Sequence, residues 1–429
     1  PELSELSEPE DDEDAIALQA KLRELASRSV TDLRHKAFVP IIPAFGVGAT
    51  VSSLVYPVLH ALAEDATLFA PTIRNWTSPG CAARDTSCYF DSLPSLYDRP
   101  DLVMTNHTEE AKTTKVSFGS MKVDIPVVED IPLNEVANIM RGHHDPHDPK
   151  ASKVSKEWLV KKFNTPLGLD QGKFNLTGKF GAPMYDERHF IAKLDHRWLR
   201  RGRFWLMSQI VHFITRPNAR LKAKLDKHKR ELGRMQRPVL GLHVRKGDAC
   251  GDRGECRDIE DYMPTIKKMQ AKYGYKTVFL ATPDPGVLKP EHLQKFPDVT
   301  FKFLQTTNTT ELMHKLHYRK IDDAIAKGVV DAGDEFDEAM ISAYMLADAD
   351  GFIGGFSSNA ARMAYSMLAS GPRGCIKPFD SFDLNWCNAF GKGGDAILRR
   401  GEKSCSAARN GDTCRGDSVC TGLPCMISC

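Results

Sequence analysis

An α/β protein built on open parallel sheets, with helices on both faces, is expected from this chain. From residue 237 onward, short continuous apolar runs alternate with segments of helical periodicity, the pattern of a doubly wound sheet whose strands are buried on both sides. Three of those runs end in polar clusters, "RKGD", "TPDP" and "GGFSSN". In such sheets ligands bind outside the carboxyl ends of the strands. The chain has 429 residues, which at roughly 100–200 residues per domain makes two or three domains.

Residues 1–14 are acidic, and 15–29, "AIALQAKLRELASRS", space their apolar residues as one amphipathic helix. That helix suits a stem before a catalytic domain or an ordinary packing helix. Residues 38–71 read as strand, Gly-rich turn, helix and strand, although Pro57 disfavours the helix. The turn "GVGAT" carries Gly46 and Gly48 at a helix start. Small residues there either admit an anion or sugar hydroxyl to free N–H groups, or serve a tight packing turn. Residues 72–190 have little period. Cys81 and Cys88 are placed to close a small loop. The prolines of "RGHHDPHDPK" mark an irregular loop rather than a metal cluster of His143, His144, His147, Asp145 and Asp148. Residues 203–233 are helical, broken at Pro217 and capped at Gly233.

The alternation then runs in order. "VLGLHV" is a strand and "IEDYMPTIKKMQAKY" a helix. "KTVFLAT" is a strand, "LKPEHLQKF" a short helix and "VTFKFL" a strand. "DEFDEAMISAYMLADAD" is a helix, "GFIGGF" a strand and "SSNAARMAYSMLAS" a helix.

Composition narrows the function. Lys plus Arg (58) balances Asp plus Glu (56), and the net charge of +2 gives no case for nucleic acid or a membrane surface. No apolar run reaches the ~18 residues of a membrane span. The opening "PELSELSEPEDDEDA" reads as the interior of a longer protein. Eleven cysteines, five of them in the last 25 residues, accompany sequons at Asn75, Asn106, Asn175 and Asn308. Both features point to the secretory pathway. The tail lacks His and paired C-x-x-C spacing, so disulfides are favoured over zinc.

The strand-end residues suggest a nucleoside-diphosphate site. Arg245 supplies a planar fork for phosphate oxygens. Ser357 and Ser358 open a helix whose N–H groups and dipole favour an anion. His243, one pleat back on the face of Arg245, suits a base or ribose, or is a satisfied core histidine. Asp284 suits a ribose or sugar hydroxyl, or is a helix N-cap. No Walker, nicotinamide, H-E-x-x-H or G-x-S-x-G motif is present. A nucleotide-sugar glycosyltransferase is the expectation that remains.

"RPVLGLHVRKGD…IEDYM", "VFLATPDPGVL" and "ADGFIGGFSSNAARMAYSML" resemble, in order and spacing, the signature of the α1,6-fucosyltransferase family. That family includes animal N-glycan core fucosyltransferases and rhizobial Nod-factor fucosyltransferases. The likeness covers roughly residues 36–375. It implies two Rossmann-like domains with the donor site in the C-terminal one, and an inverting, metal-independent reaction with GDP-fucose. By this resemblance Arg245 binds the β-phosphate, His243 lies near guanine, Tyr262 and Asp284 line the donor site, Ser357 and Ser358 face phosphate, and Asp248 is the motif aspartate. The sequence also departs from the family. Ala249 stands at its lysine, Arg253 at its catalytic glutamate and Ser342 at its guanine-reading aspartate. Asp252 and Glu255 are the nearest carboxylates for a general base, on a loop bracketed by Cys250 and Cys256.

The expected organisation is a stem-like segment (1–35), an α/β domain on the acceptor side (36–236), a donor domain (237–375) and a Cys-rich extension (376–429). The expected protein transfers a sugar, fucose first, to a glycan or glycoprotein in the Golgi or ER lumen or outside the cell. Its membrane anchor would lie outside this chain. Catalysis would rest on Arg245, Asp248, Asp252 and Glu255, with no metal cofactor. Two rivals are the same fold using another nucleotide sugar, such as a pentose donor, and an inactive glycan-binding module.

Overall fold

The computed structural model describes residues 12–28, 37–38, 46–65, 67–70, 73, 76, 81, 83, 85–95, 113–118, 121–126, 193–246, 257–304, 312, 315–316, 321–371 and 377–382. The elements are α1 (Glu13–Ser27), β1 (Ala37–Phe38), α2 (Val47–Glu64), β2 (Thr67–Leu68), β3 (Thr113–Phe118) and β4 (Met121–Pro126). Then come α3 (His196–Arg200), α4 (Gly202–Ile214), α5 (Ala219–Leu232), β5 (Val239–His243), α6 (Ile259–Tyr273) and β6 (Thr277–Ala281). They are followed by α7 (Pro290–Leu293), β7 (Thr300–Phe303), α8 (Ile321–Ala326), α9 (Ala332–Ala347), β8 (Gly351–Gly354), α10 (Asn359–Leu368) and β9 (Phe379–Ser381).

The expected α/β architecture is present. Five strands form an all-parallel sheet in the order β7-β6-β5-β8-β9. The order reverses at β5, so the crevice between the carboxyl ends of β5 and β8 is the topological switch point. Every residue of β5, β6 and β8 is buried, as a strand covered on both faces requires. Side chains alternate between two layers. Leu240, Leu242, Val244, Val278, Leu280 and Ile353 pack with Ile259, Met263 and Ile266 of α6. Val239, Phe279 and Phe352 pack with α2, α4, α9 and α10 on the other face.

Helix ends explain why these segments are helical. The Asp258 N–H donates to Asp261 Oδ2 at 2.8 Å and fixes the start of α6, which stops at Gly274 with φ +71°. Asp331 caps α9 by accepting from the Gly333 and Asp334 amides. The break at Pro217 separates α4 from α5, and Asn218 accepts from the Leu221 amide at 3.0 Å to start the second helix.

Towards the N-terminus, β1, α2 and β2 follow the expected strand–helix–strand order, and α2 continues through Pro57. The second described sheet is mixed, in the order β2-β1-β3-β4. β1 is parallel to β2 and β3, while β3 and β4 form an antiparallel hairpin. Cys81 and Cys88 form the disulfide expected of them. Of the two readings of the first helix, the structure has the packing helix. Leu18, Leu22 and Leu25 are buried in the same core as α2 and α4, and Gln19 donates to the Gln209 carbonyl at 2.8 Å. The sheet also continues past residue 375, because β9 pairs with β8 through Phe352↔Phe379.

Candidate functional site

β5 delivers two residues to the switch point. Val244 belongs to the α6 layer, so alternation turns His243 and Arg245 toward the opposite layer, where α2 and α10 pack. His243 is buried and its Nδ1 has no hydrogen-bond partner. Burial, with Arg245 next, holds the imidazole pKa down to about 3, so this ring is neutral at physiological pH. Arg245 and Lys246 are half-buried. Lys246 ion-pairs with Asp258 at the start of α6. A neutral ring with an unused polar atom, beside a guanidinium, suits an uncharged polar ligand group next to an anionic one.

The facing wall is built from glycine and serine. A Cβ on Gly354 would sit 3.5 Å from the His243 Cβ and 3.0 Å from the Phe352 ring, so a bare backbone keeps the crevice open there. The chain then turns through Ser357 and Ser358 into α10. Ser358 is the N-cap residue, it is buried, and its side chain makes no capping bond. Ser357 is half-buried. Arg362, one turn on, is buried and donates to Asn359 Oδ1.

A second helix N-terminus meets this one. A Cβ on Gly48 would lie 2.5 Å from the Ala360 amide nitrogen and 2.7 Å from its Cα. The first turn of α2 therefore presses backbone to backbone on the first turn of α10. Gly46, the N-cap of α2, is exposed with nothing within 4 Å of a Cβ position. Two positive helix ends thus converge beside the crevice. Of the two readings of "GVGAT", Gly48 meets the packing one, and Gly46 keeps space for a ligand.

The other expected residues flank this centre. Asp284 follows β6 and caps the 3-10 turn Pro285–Leu288, accepting from the Gly286 amide at 2.8 Å. Its cap role is what the geometry shows. Tyr262 is buried in α6, its ring edge-on to Phe382 at 4.6 Å. The Arg257 guanidinium lies 5.1 Å above the same Phe382 ring. The Phe382 amide donates to the Gly354 carbonyl at 3.3 Å, which ties this aromatic shelf to the end of β8. Asp248, Asp252, Glu255, Cys250 and Cys256 lie outside the described residues. So do the four sequon asparagines, the histidines of "RGHHDPHDPK" and the Cys-rich tail.

Sequence reasoning passed over Arg257, Arg362 and Phe382. Arg362 was visible in the serine-led motif as a charge in the first turn of a helix. Phe382 gave no signal, because it follows a strand of only three residues. The acidic pair Asp348 and Asp350 lies at the opposite, amino edge of the sheet. Asp348 pairs with Lys229 and Arg237, and Asp350 accepts from the Val239 amide at 2.7 Å. Among the described residues, no group of His, Cys, Asp and Glu is arranged to hold a metal ion.

Residues 195–384 match the family model described as "Alpha-(1,6)-fucosyltransferase N- and catalytic domains". Over this stretch the chain is similar to the alpha-(1,6)-fucosyltransferases. The matched residues carry Arg245, His243, Tyr262, Asp284, Ser357 and Ser358. The Drosophila melanogaster alpha-(1,6)-fucosyltransferase is 24% identical over 185 residues, 42% of this chain and 27% of that protein. The Caenorhabditis elegans alpha-(1,6)-fucosyltransferase is 23% identical over 171 residues, 38% of this chain and 28% of that protein. The chain thus spans about a quarter of the length of these relatives. Among solved structures, POFUT1 in its apo form gives a TM-score of 0.41 at 12% identity, covering 82% of this chain and 99% of that one. NodZ alpha-1,6-fucosyltransferase soaked with GDP-fucose gives 0.38 at 16% identity, covering 81% and 96%.

Proposed function

We propose that this chain is a glycosyltransferase that moves fucose from GDP-fucose to a glycan or glycoprotein acceptor. The observation that carries the reading is the convergence, at one switch point, of Arg245, the unpartnered His243 and the N-termini of α2 and α10. The family match over residues 195–384 supports the choice of fucose. Arg245 would neutralise the diphosphate as it leaves, with the helix N-termini adding N–H donors and dipole. One such donor is worth on the order of 3 kcal/mol in a transition state. His243, kept neutral, would accept from or donate to the nucleoside without competing for the phosphate charge. A carboxylate among Asp248, Asp252 and Glu255 would take the acceptor proton as general base, with inversion at the sugar carbon. Metal independence belongs to the same reading. The D-x-D sequence just before β8, Asp348 and Asp350, has its carboxylates engaged by Lys229, Arg237 and the Val239 amide at the far edge. The sequons and cysteines support a luminal or secreted location.

A panel of GDP-, UDP- and CDP-sugars, read by thermal shift and by sugar release to water, tests this. A ligand specific to the folded state raises the melting temperature. GDP-fucose should give the largest shift and measurable hydrolysis, and EDTA should leave that hydrolysis unchanged. A larger shift with another nucleotide would favour the second reading, in which half-buried Ser342 of α9 replaces a base-reading carboxylate. Binding of a glycan with no donor turnover would make the chain a glycan-binding module.

A further inference from the structure

α1 and α4 lie side by side, and their facing stripes can be read in register. Asp12, at the start of α1, pairs with Arg201 and accepts from Trp205 Nε1. Two turns on, Gln19 bonds to Gln209. Residues four apart share a helix face, so Arg23 on α1 falls opposite His212 on α4, with Arg216 just past the end of α4. His212 also packs against the loop after α10. Its Cε1 would be 3.3 Å from a Cβ on Gly371, whose φ is +91°. Gln209 holds that loop by donating to the Gly371 carbonyl at 3.1 Å and accepting from its amide.

Three basic side chains therefore share one seam, and no Asp or Glu comes within ion-pair distance of any of them among the described residues. Arg216 stacks on the Phe213 ring at 5.0 Å and spends one N–H on the Asp91 carbonyl at 2.7 Å. Its Nε is buried with no partner. The negative end of the α4 dipole is worth about half a charge and does not balance two guanidinium groups. Each cation raises the cost of charging the next. The imidazole of His212 is held below its ordinary pKa by burial, then by Arg216 and Arg23, and Arg216 is lowered by burial and Arg23. Asp91, exposed, is the carboxylate that opposes this lowering at Arg216.

We infer that Arg23, His212 and Arg216 form an oxyanion-binding site on the α1–α4 seam, taking a tetrahedral group such as a phosphate or a sugar sulfate ester. A divalent oxyanion would accept from the two guanidinium groups and from the imidazolium that its own charge stabilises. The site is separate from the donor crevice. Gly371 follows the C-terminal end of α10, whereas Ser358 opens its N-terminus, and the ten residues of α10 span about 15 Å.

Arg245→Ala protein removes the donor-side phosphate site and serves as parent for the test. Sodium phosphate should raise its melting temperature above that in sodium chloride of equal ionic strength. Adding Arg23→Gln, an exposed change, should weaken phosphate binding about tenfold or more. It should also raise the melting temperature in the absence of phosphate, because repulsion is relieved. Phosphate should move the His212 imidazole titration upward by NMR in the parent and not in the Arg23→Gln protein. A 6-sulfated N-acetylhexosamine, compared with its unsulfated form, identifies the source: selective binding of the sulfated sugar marks a glycan ligand, and response to phosphate alone marks a free anion. Equal phosphate effects with and without Arg23, or an unmoved His212 titration, would overturn the assignment.

Discussion

Gly48 and Ala360, more than 300 residues apart in the chain, touch backbone to backbone, leaving 2.5 Å between a would-be Cβ and the Ala360 amide nitrogen. The contact clamps the start of α2 to the start of α10 and thereby sets where both helix N-termini aim. Gly48→Ala should push the two helices apart. Overpacking of this kind costs about 1–3 kcal/mol, and nucleoside-diphosphate affinity should fall with it. Gly46→Ala, where nothing lies within 4 Å, should leave the melting temperature nearly unchanged. Melting curves and GDP calorimetry on the pair check both halves.

Arg245→Ala should weaken GDP binding by about 1.5–3 kcal/mol, the cost of losing a hydrogen bond to a charged group, with little change in melting temperature. Arg245→Lys should recover little, because a point charge cannot form the two-pronged contact. Isothermal calorimetry reads the loss, and unchanged affinity in Arg245→Ala would remove the phosphate assignment.

His243 makes folding sensitive to acid. Its folded pKa is about 3 against an unfolded value of about 6.5. Between those values the unfolded chain binds the proton and the folded one does not. The stability contribution is therefore complete above about pH 6.5 and declines as pH falls toward 3, with a slope approaching about 1.4 kcal/mol per unit. Urea unfolding at pH 7 and pH 5 should show this loss, and His243→Gln should shrink it. The same slope in both proteins would contradict the burial of a neutral ring.

Asp337 is buried under Arg220 and Lys224, which reach it at 2.5 and 2.6 Å from α5. Tyr89 stacks on the adjacent Phe336 at 3.9 Å, and Arg220 lies over Tyr89. Asp337→Ala removes the hydrogen bonds to two half-exposed cations, which can then hydrate, and should cost about 1.5–3 kcal/mol. Lys224→Ala removes a half-exposed partner while Arg220 remains, and should cost under about 1 kcal/mol. Denaturant midpoints of the two variants should differ accordingly.

Legibility of the fold followed the range of the interactions. "IEDYMPTIKKMQAKY" contains its own period, and the helix it forms begins and ends on those residues. The strands around "VLGLHV" were readable because both of their faces are buried. β9 was missed because "FDS" has one apolar residue and exists as a strand only through its pairing with β8. Arg245 and His243 were legible as polar residues at the exit of an apolar strand. The packing role of Gly48 was not, since its neighbour is Ala360. Asp284 carried two readings in the sequence, and the Gly286 amide shows the cap reading through one of its carboxylate oxygens.

The pairing of Leu240 in β5 with Gly351 in β8 also has a consequence for synthesis. The two residues are separated by 111 positions in the sequence. At about 5–20 residues per second, β5 waits on the ribosome for roughly 6 to 22 s before its partner emerges. During that interval an apolar strand, destined to be covered on both faces, has an open edge. The crevice that Arg245 lines is completed only after α10 has been made, so until then the unfinished chain exposes a strand edge that wrong pairing can reach.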